Sequence, residues 1–441
     1  MKSIIQFSSL EHDQPSRRRA RFIARGAACV AVLPLGLSLA LAACSSSDSG
    51  ETTSGAGAAN VAGASGSAGA PSTAHGGTAG GDGSGSLGAA GTGGASLGGS
   101  GRNMAGSSGA GSGAIGTGGA AGVGGGNSVT GPCDLYEAAK TPCVAAHSTV
   151  RALYGAFDGN LYQVRRDSDE TTKDVAVLSP GGVANAATQD AFCAGTTCTI
   201  SIIYDQSPEH NHLTSAPAGG FRKTPDKEAD ANAAKIQIAG HSAYAVYTEQ
   251  GIGYRNDKTS GVATGDQAET LYMVTSGKHF NGSCCFDYGN AETDNNDDGA
   301  GTMEAIYFGN AAGWGKGAGT GPWVMTDLEN GLFTAYTFDV NPKATPVAFD
   351  FATALLKGRS GSFAIKSGNA TSGELQVNYD GPRPKGYDPM KKQGAIILGI
   401  GGDNSNSAVG TFYEGCMTTG DPSDETDDAV QANIVAAGYG K

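Results

Sequence analysis

Thr199-Ile200-Ser201-Ile202-Ile203-Tyr204 is a short run of β-branched and aromatic residues with no glycine or proline inside it, which is the composition of a strand. Three further stretches read the same way: Ala243-Tyr244-Ala245-Val246-Tyr247, Leu271-Tyr272-Met273-Val274 and Ala395-Ile396-Ile397-Leu398. Each is too short for a helix, and Gly, Asn, Asp and Pro punctuate the chain between them. Only residues 426–437 carry a helical period, with Val430, Ile434 and Val435 on one side. Short strands closed by turns predict an all-β sandwich.

This composition holds over residues 131–441, long enough for one large domain. Residues 45–130 differ sharply. They are almost entirely Gly, Ala, Ser and Thr, hold many of the chain's 72 glycines and have hardly a large apolar side chain to bury, so they read as a disordered linker. A flexible chain of that length has a root-mean-square reach of about 50 Å. Residues 1–44 have a basic head (Arg17, Arg18, Arg19, Arg21, Arg25) and an apolar run interrupted by Pro34, which reads as an export signal. The run ends Leu41-Ala42-Ala43-Cys44, resembling a bacterial lipobox. Acylation at Cys44 would hold the protein on a bilayer, so a bacterial, lipid-anchored envelope location is expected, with plain secretion as the alternative.

The net charge of −13 excludes nucleic acid and an anionic membrane surface as electrostatic partners and favours a neutral substrate. Cys133 and Cys143, and Cys193 and Cys198, can close small loops in an exported protein. Cys284 and Cys285 are adjacent, and the residues alone argue against a bond between them because the ring distorts the intervening peptide. Cys416 is left over and reads as a buried, inert thiol.

Two segments could carry chemistry. In Trp323-Val324-Met325-Thr326-Asp327-Leu328-Glu329, strand alternation puts Trp323, Met325, Asp327 and Glu329 on one face. The acids then lie about 7 Å apart at Cα beside an aromatic surface, as a sugar site needs; an edge strand with two solvated acids accounts for the same pattern. In Gly401-Gly402-Asp403-Asn404, two glycines let the backbone approach a ligand and leave Asp403 at a strand end, while a simple Asx turn fits equally. Other signals fall short. Asp294, Asn296, Asp298 and Gly299 open like a calcium loop, but the twelfth position is Ala305. His210 and His212 lack a nearby third ligand, and the glycines of residues 315–321 neither follow a clear strand nor open a helix. No cofactor and no metal are expected.

Long blocks of the domain resemble the catalytic domain of the α-L-arabinofuranosidase B family, glycoside hydrolase family 54. They include residues 141–149, 192–202 and 253–261, Cys284-Cys285-Phe286-Asp287-Tyr288-Gly289-Asn290-Ala291-Glu292, Asp327-Leu328-Glu329-Asn330-Gly331 and residues 399–406. The resemblance implies a concanavalin-like β-sandwich of jelly-roll type, with Glu329 as nucleophile and Asp403 as general acid/base. It further implies a vicinal disulfide Cys284–Cys285 forming a flat apolar platform under the sugar. Trp314, Asp327, Asn330 and Gly402 are implied at the pocket, with Met303 and Leu332 as apolar neighbours. Family members commonly continue into a β-trefoil arabinose-binding module; this sequence ends at Lys441, directly after the sandwich.

The implied activity is exo-acting retaining hydrolysis of terminal α-L-arabinofuranosyl groups from arabinoxylan or arabinan, by a monomer that meets a lipid bilayer only through its acyl chains. The alternatives are a non-catalytic arabinan-binding lectin on the same sandwich and a glycosidase acting on xylosides or galactofuranosides. In a retaining pair, an ionised Glu329 is expected to keep Asp403 protonated, with Asp327 bonding sugar hydroxyls.

Overall fold

The computed structural model describes residues 129–441. The expected leader, Cys44 and nearly all of the expected linker lie outside the described residues. Two antiparallel sheets form the sandwich. One has seven strands, ordered Cys143–Ser148, Gly410–Thr419, Glu269–Thr275, Ala352–Arg359, Ser362–Asn369 and Ser372–Pro382, with Val246–Thr248 also pairing on Gly410–Thr419. The other has ten, ordered Leu332–Phe333, Trp323–Asp327, Glu304–Gly309, Asp287–Ala291, Ala395–Leu398, Tyr254–Asn256, Leu213–Ser215, Cys198–Ile203, Asn160–Arg166 and Thr172–Ala176.

The expected strand over residues 243–247 is two strands: His241–Tyr244 belongs to a separate hairpin, and Val246–Thr248 joins the seven-stranded sheet. The C-terminal helix runs Asp424–Ala436, with the Ser423 side chain accepting the Thr426 N–H and acids in the first turn favouring the helix dipole. Two seven-residue helices, Pro132–Ala138 and Ala186–Phe192, show no apolar period in the sequence because each is barely two turns long.

The core between the sheets takes alternate residues from each strand: Tyr288, Ile306, Phe308, Val324, Ile396 and Leu398 from the ten-stranded sheet meet Leu271, Leu356, Phe363 and Phe412 from the other. The opposite face of the ten-stranded sheet is also covered, by loops, and carries Tyr307, Trp323 and Met325 together with Ala305 and Ile397. Strands buried on both faces lose the apolar–polar alternation of a half-exposed sheet. Glu304 turns inward and locks the two layers together. Its carboxylate meets Arg383 at 2.8 Å and Lys392 at 2.8 Å, and Lys392 reaches Glu269 at 3.0 Å. Burial works to raise the Glu304 pKa, but the Lys392 and Arg383 charges outweigh it and hold the group at about 2. Removing one partner of such a buried pair costs about 3–5 kcal/mol.

Candidate active site

The outer face of the ten-stranded sheet holds the site. On Trp323–Asp327, Val324 enters the inter-sheet core, while Trp323, Met325 and Asp327 face outward. The strand stops at Asp327, which corrects the expectation that Glu329 continues it. Glu329 and Asn330 adopt left-handed backbone, with φ of 62° and 58°, and turn the chain into Leu332–Phe333, which pairs back on Thr326 and Asp327. Left-handed backbone at non-glycine residues costs about 1–2 kcal/mol each. Local bonds offset it: the Glu329 N–H donates to Asp327 Oδ1 at 3.1 Å, and the Tyr387 hydroxyl donates to the Asn330 carbonyl at 2.9 Å. The turn brings the Glu329 carboxyl to the cavity that Asp327 also lines.

Asp403 follows the strand Ala395–Leu398 and reaches the same cavity from the other side. Its Oδ1 accepts the Ser405 N–H at 3.0 Å, so the Asx turn is real and coexists with placement at the site. Gly402 is required by space. A Cβ there would lie 2.0 Å from Glu292 Oε2 and 3.0 Å from Glu329 Oε2. The loop hangs from Arg255, whose buried guanidinium donates to the carbonyls of Gly402, at 2.6 Å, and Glu292, and pairs with Asp257.

The cavity encloses 230 Å³. Asp327, Glu329 and Asp403 form its acidic side, Cys284, Cys285, Trp314 and Leu332 its apolar side, and Asn330 and Gly402 lie between. Disulfides join Cys133 to Cys143, Cys193 to Cys198, and Cys284 to Cys285; the last overturns the reading of the residues alone, and Cys416 is free and buried. Cys285 Sγ lies 3.5 Å from Asp327 Oδ2, so the disulfide and the acid share one floor. Met303 does not reach the cavity. It is fully buried and packs on Ala291, Ala305 and Ile397, under the loops beside the site.

The lining also includes Phe221, Asp297, Gly331, Gly401 and Ser405, loop residues that sequence reasoning did not assign to the site. Asp297 accepts from the Asn330 amide at 2.9 Å. The acids of that loop are otherwise spent on local structure: Asp294 caps the Asn296 N–H at 3.0 Å, Asp297 caps the Gly299 N–H at 2.8 Å, and Asp298 accepts from Gln393 at 2.5 Å. His212 accepts the Asp205 N–H through Nδ1 at 2.9 Å, a structural bond.

Electrostatics depart from the expected charge order. Burial, then the neighbouring Glu292 and Asp327, push the Glu329 carboxyl up to about 10, and burial raises Asp327 to about 7. Glu292 is the unforeseen member. It is fully buried and raised by burial; Oε1 accepts from Thr302, and Oε2 has no partner among the described residues. The site therefore favours a proton on Glu329 where an ionised carboxylate was expected.

Carboxyls arriving from two separate segments over an apolar floor, on the outer face of a β-sandwich, define a site of the glycoside hydrolase class. The chain matches the family described as "Alpha-L-arabinofuranosidase B, catalytic" over residues 132–440, and it belongs to that family. It is 58% identical over 317 residues to a probable α-L-arabinofuranosidase B of Aspergillus fumigatus, covering 70% of this chain and 63% of the relative. It is 58% identical over 315 residues to an α-L-arabinofuranosidase of Hypocrea jecorina, covering 70% and 63%. A solved arabinofuranosidase complexed with arabinofuranosyl-α-1,2-xylobiose superposes with a TM-score of 0.69 at 55% identity, over 70% of this chain and 66% of that one. The chain thus spans a little under two thirds of the length of the curated relatives it matches. These relatives are fungal, which overturns the expected bacterial, lipid-anchored envelope location.

Proposed function

We propose that residues 131–441 form the catalytic domain of a retaining hydrolase that releases terminal α-L-arabinofuranosyl groups, with residues 1–44 as a leader and 45–130 as a spacer. The observation that carries this reading is the convergence of Glu329 and Asp403 on one cavity floored by the Cys284–Cys285 disulfide. Glu329 attacks the anomeric carbon while Asp403 protonates the departing glycosidic oxygen; Asp403 then takes a proton from the water that hydrolyses the ester. The resting site needs no additional proton for this. The proton favoured on Glu329 in the empty cavity has only to reside on Asp403 instead, and positive charge developing at the anomeric carbon stabilises the Glu329 anion.

Asp327 and Asn330 are placed to bond sugar hydroxyls, and the disulfide and Trp314 to meet the apolar ring face. The arabinofuranosyl-xylobiose held by the solved relative favours arabinose side chains of xylan as substrate. The test is a panel of aryl glycosides with wild type and Glu329→Gln. Arabinose release by wild type alone, with sugar binding kept in the variant, is expected. Turnover by Glu329→Gln would remove the nucleophile assignment. Binding without turnover by wild type would make the domain a lectin, and preference for an aryl xyloside or galactofuranoside would change the substrate.

A further inference from the structure

Behind the cavity lies a carboxyl that the chemistry above does not use. Asp287 opens the strand Asp287–Ala291, is fully buried, and neither carboxyl oxygen has a hydrogen-bond donor among the described residues. Its register partner is Tyr307, whose own partner on the next strand is Met325, and the row beside it runs Gly289, Ala305, Asp327. Gly289 and Ala305 offer almost no side chain, so the space between the two aspartates is open across the sheet. The two carboxyls meet there.

Two buried carboxylates in contact repel, and one must keep a proton. The donors decide which. Asp327 accepts the Glu329 N–H at 3.1 Å, whereas the Asp287 carboxyl accepts nothing among the described residues. Tyr307 cannot serve Asp287, because its hydroxyl donates to the Ser283 carbonyl at 3.0 Å. The remaining charged groups near Asp287 are Glu329, on the turn after Trp323–Asp327, and Asp403, on the opposite loop, and both are acids.

We propose that Asp287 is a positioning residue: a neutral carboxylic acid that donates a hydrogen bond to Asp327 from beneath, favouring the ionised form of that carboxyl and aiming it into the sugar cavity. This deepens the reading of the site as an arabinofuranosidase and rests on it. With the Glu329 N–H on one side and the Asp287 O–H on the other, Asp327 is held at two points and cannot rotate away from the sugar. Burial and the Asp327 charge raise the Asp287 pKa well above the carboxylate range, which fits this role.

Two variants and one spectrum test it. In Asp287→Asn the amide still donates to Asp327; in Asp287→Leu nothing does. Loss of a hydrogen bond to a charged group predicts that Asp287→Leu lowers kcat/KM by about 10- to 150-fold, while Asp287→Asn loses less than about tenfold. The acid limb of the pH profile should move to higher pH in Asp287→Leu, because Asp327 without its donor ionises less readily, and stay in place in Asp287→Asn. A purely structural role would lower melting temperature without moving that limb. Equal losses in both variants with an unmoved limb would overturn the proposal.

An infrared difference spectrum, wild type minus Asp287→Asn at pH 7, gives a second readout that needs no substrate and no folded leucine variant. A protonated-acid carbonyl band is expected, and a carboxylate band in its place would also overturn it. If wild type released no arabinose, the function would fail while the spectrum still decided the proton.

Discussion

The raised Glu329 carboxyl makes the proposed nucleophile a stability liability whose size follows from one proton. An unfolded glutamate titrates near 4.3, whereas the native group is pushed up to about 10 by burial and by Glu292 and Asp327. Between those values the native state holds a proton that the unfolded chain has released, so stability falls as pH rises, by about 1.36 kcal/mol per unit. From pH 5 to pH 7, allowing for the partial ionisation of the unfolded group at pH 5, the loss is about 2–3 kcal/mol. Glu329→Gln cannot titrate. Neighbouring acids face a neutral side chain in both proteins over this range, so their contributions cancel in the comparison.

For a domain of about 310 residues, a loss of that size corresponds to about 4 °C in Tm. Thermal scans of the two proteins at pH 5, 6 and 7 should therefore show the variant gaining about 4 °C on wild type across the series. A Tm gap that stays constant from pH 5 to 7 would mean that native Glu329 is already ionised there, and the charge order argued above would be wrong.

Two further outcomes bear on the same site. Asp403→Asn should lower kcat/KM by about 10²–10⁴ on an arabinosylated xylo-oligosaccharide but far less on a 4-nitrophenyl arabinofuranoside, whose leaving group needs little protonation; equal losses would remove Asp403 as the acid. Gly402→Ala places a methyl 2.0 Å from Glu292 and 3.0 Å from Glu329, so kcat should fall about a hundredfold, and wild-type kcat in that variant would refute the crowding.

The short apolar runs made the all-β class legible, and the run over residues 395–398 is a strand with those bounds. The break at Ala245 was not legible, because nothing in Ala243-Tyr244-Ala245-Val246-Tyr247 says that its halves pair with different partners. At the site, period two correctly grouped Trp323, Met325 and Asp327 but carried on to Glu329, where left-handed backbone at a glutamate has no sequence signature. Glu292 and Asp287 could not be singled out, since burial gives them their chemistry and burial comes from loops closing over the sheet. Phe221, Asp297 and Ser405 are loop residues whose proximity only the tertiary fold creates.

Arg255 grips peptide carbonyls, those of Gly402 and Glu292, rather than side chains of the cavity. A grip on backbone oxygens does not depend on which side chains line the rest of the cavity. The wall residues can therefore diverge, by natural drift or in a mutant library, without dragging Asp403 out of step with Glu329. Substrate preference and catalytic spacing are in this way separable traits, and a search for altered sugar specificity should vary Phe221, Trp314 and Leu332 while leaving Arg255 and Asp257 alone.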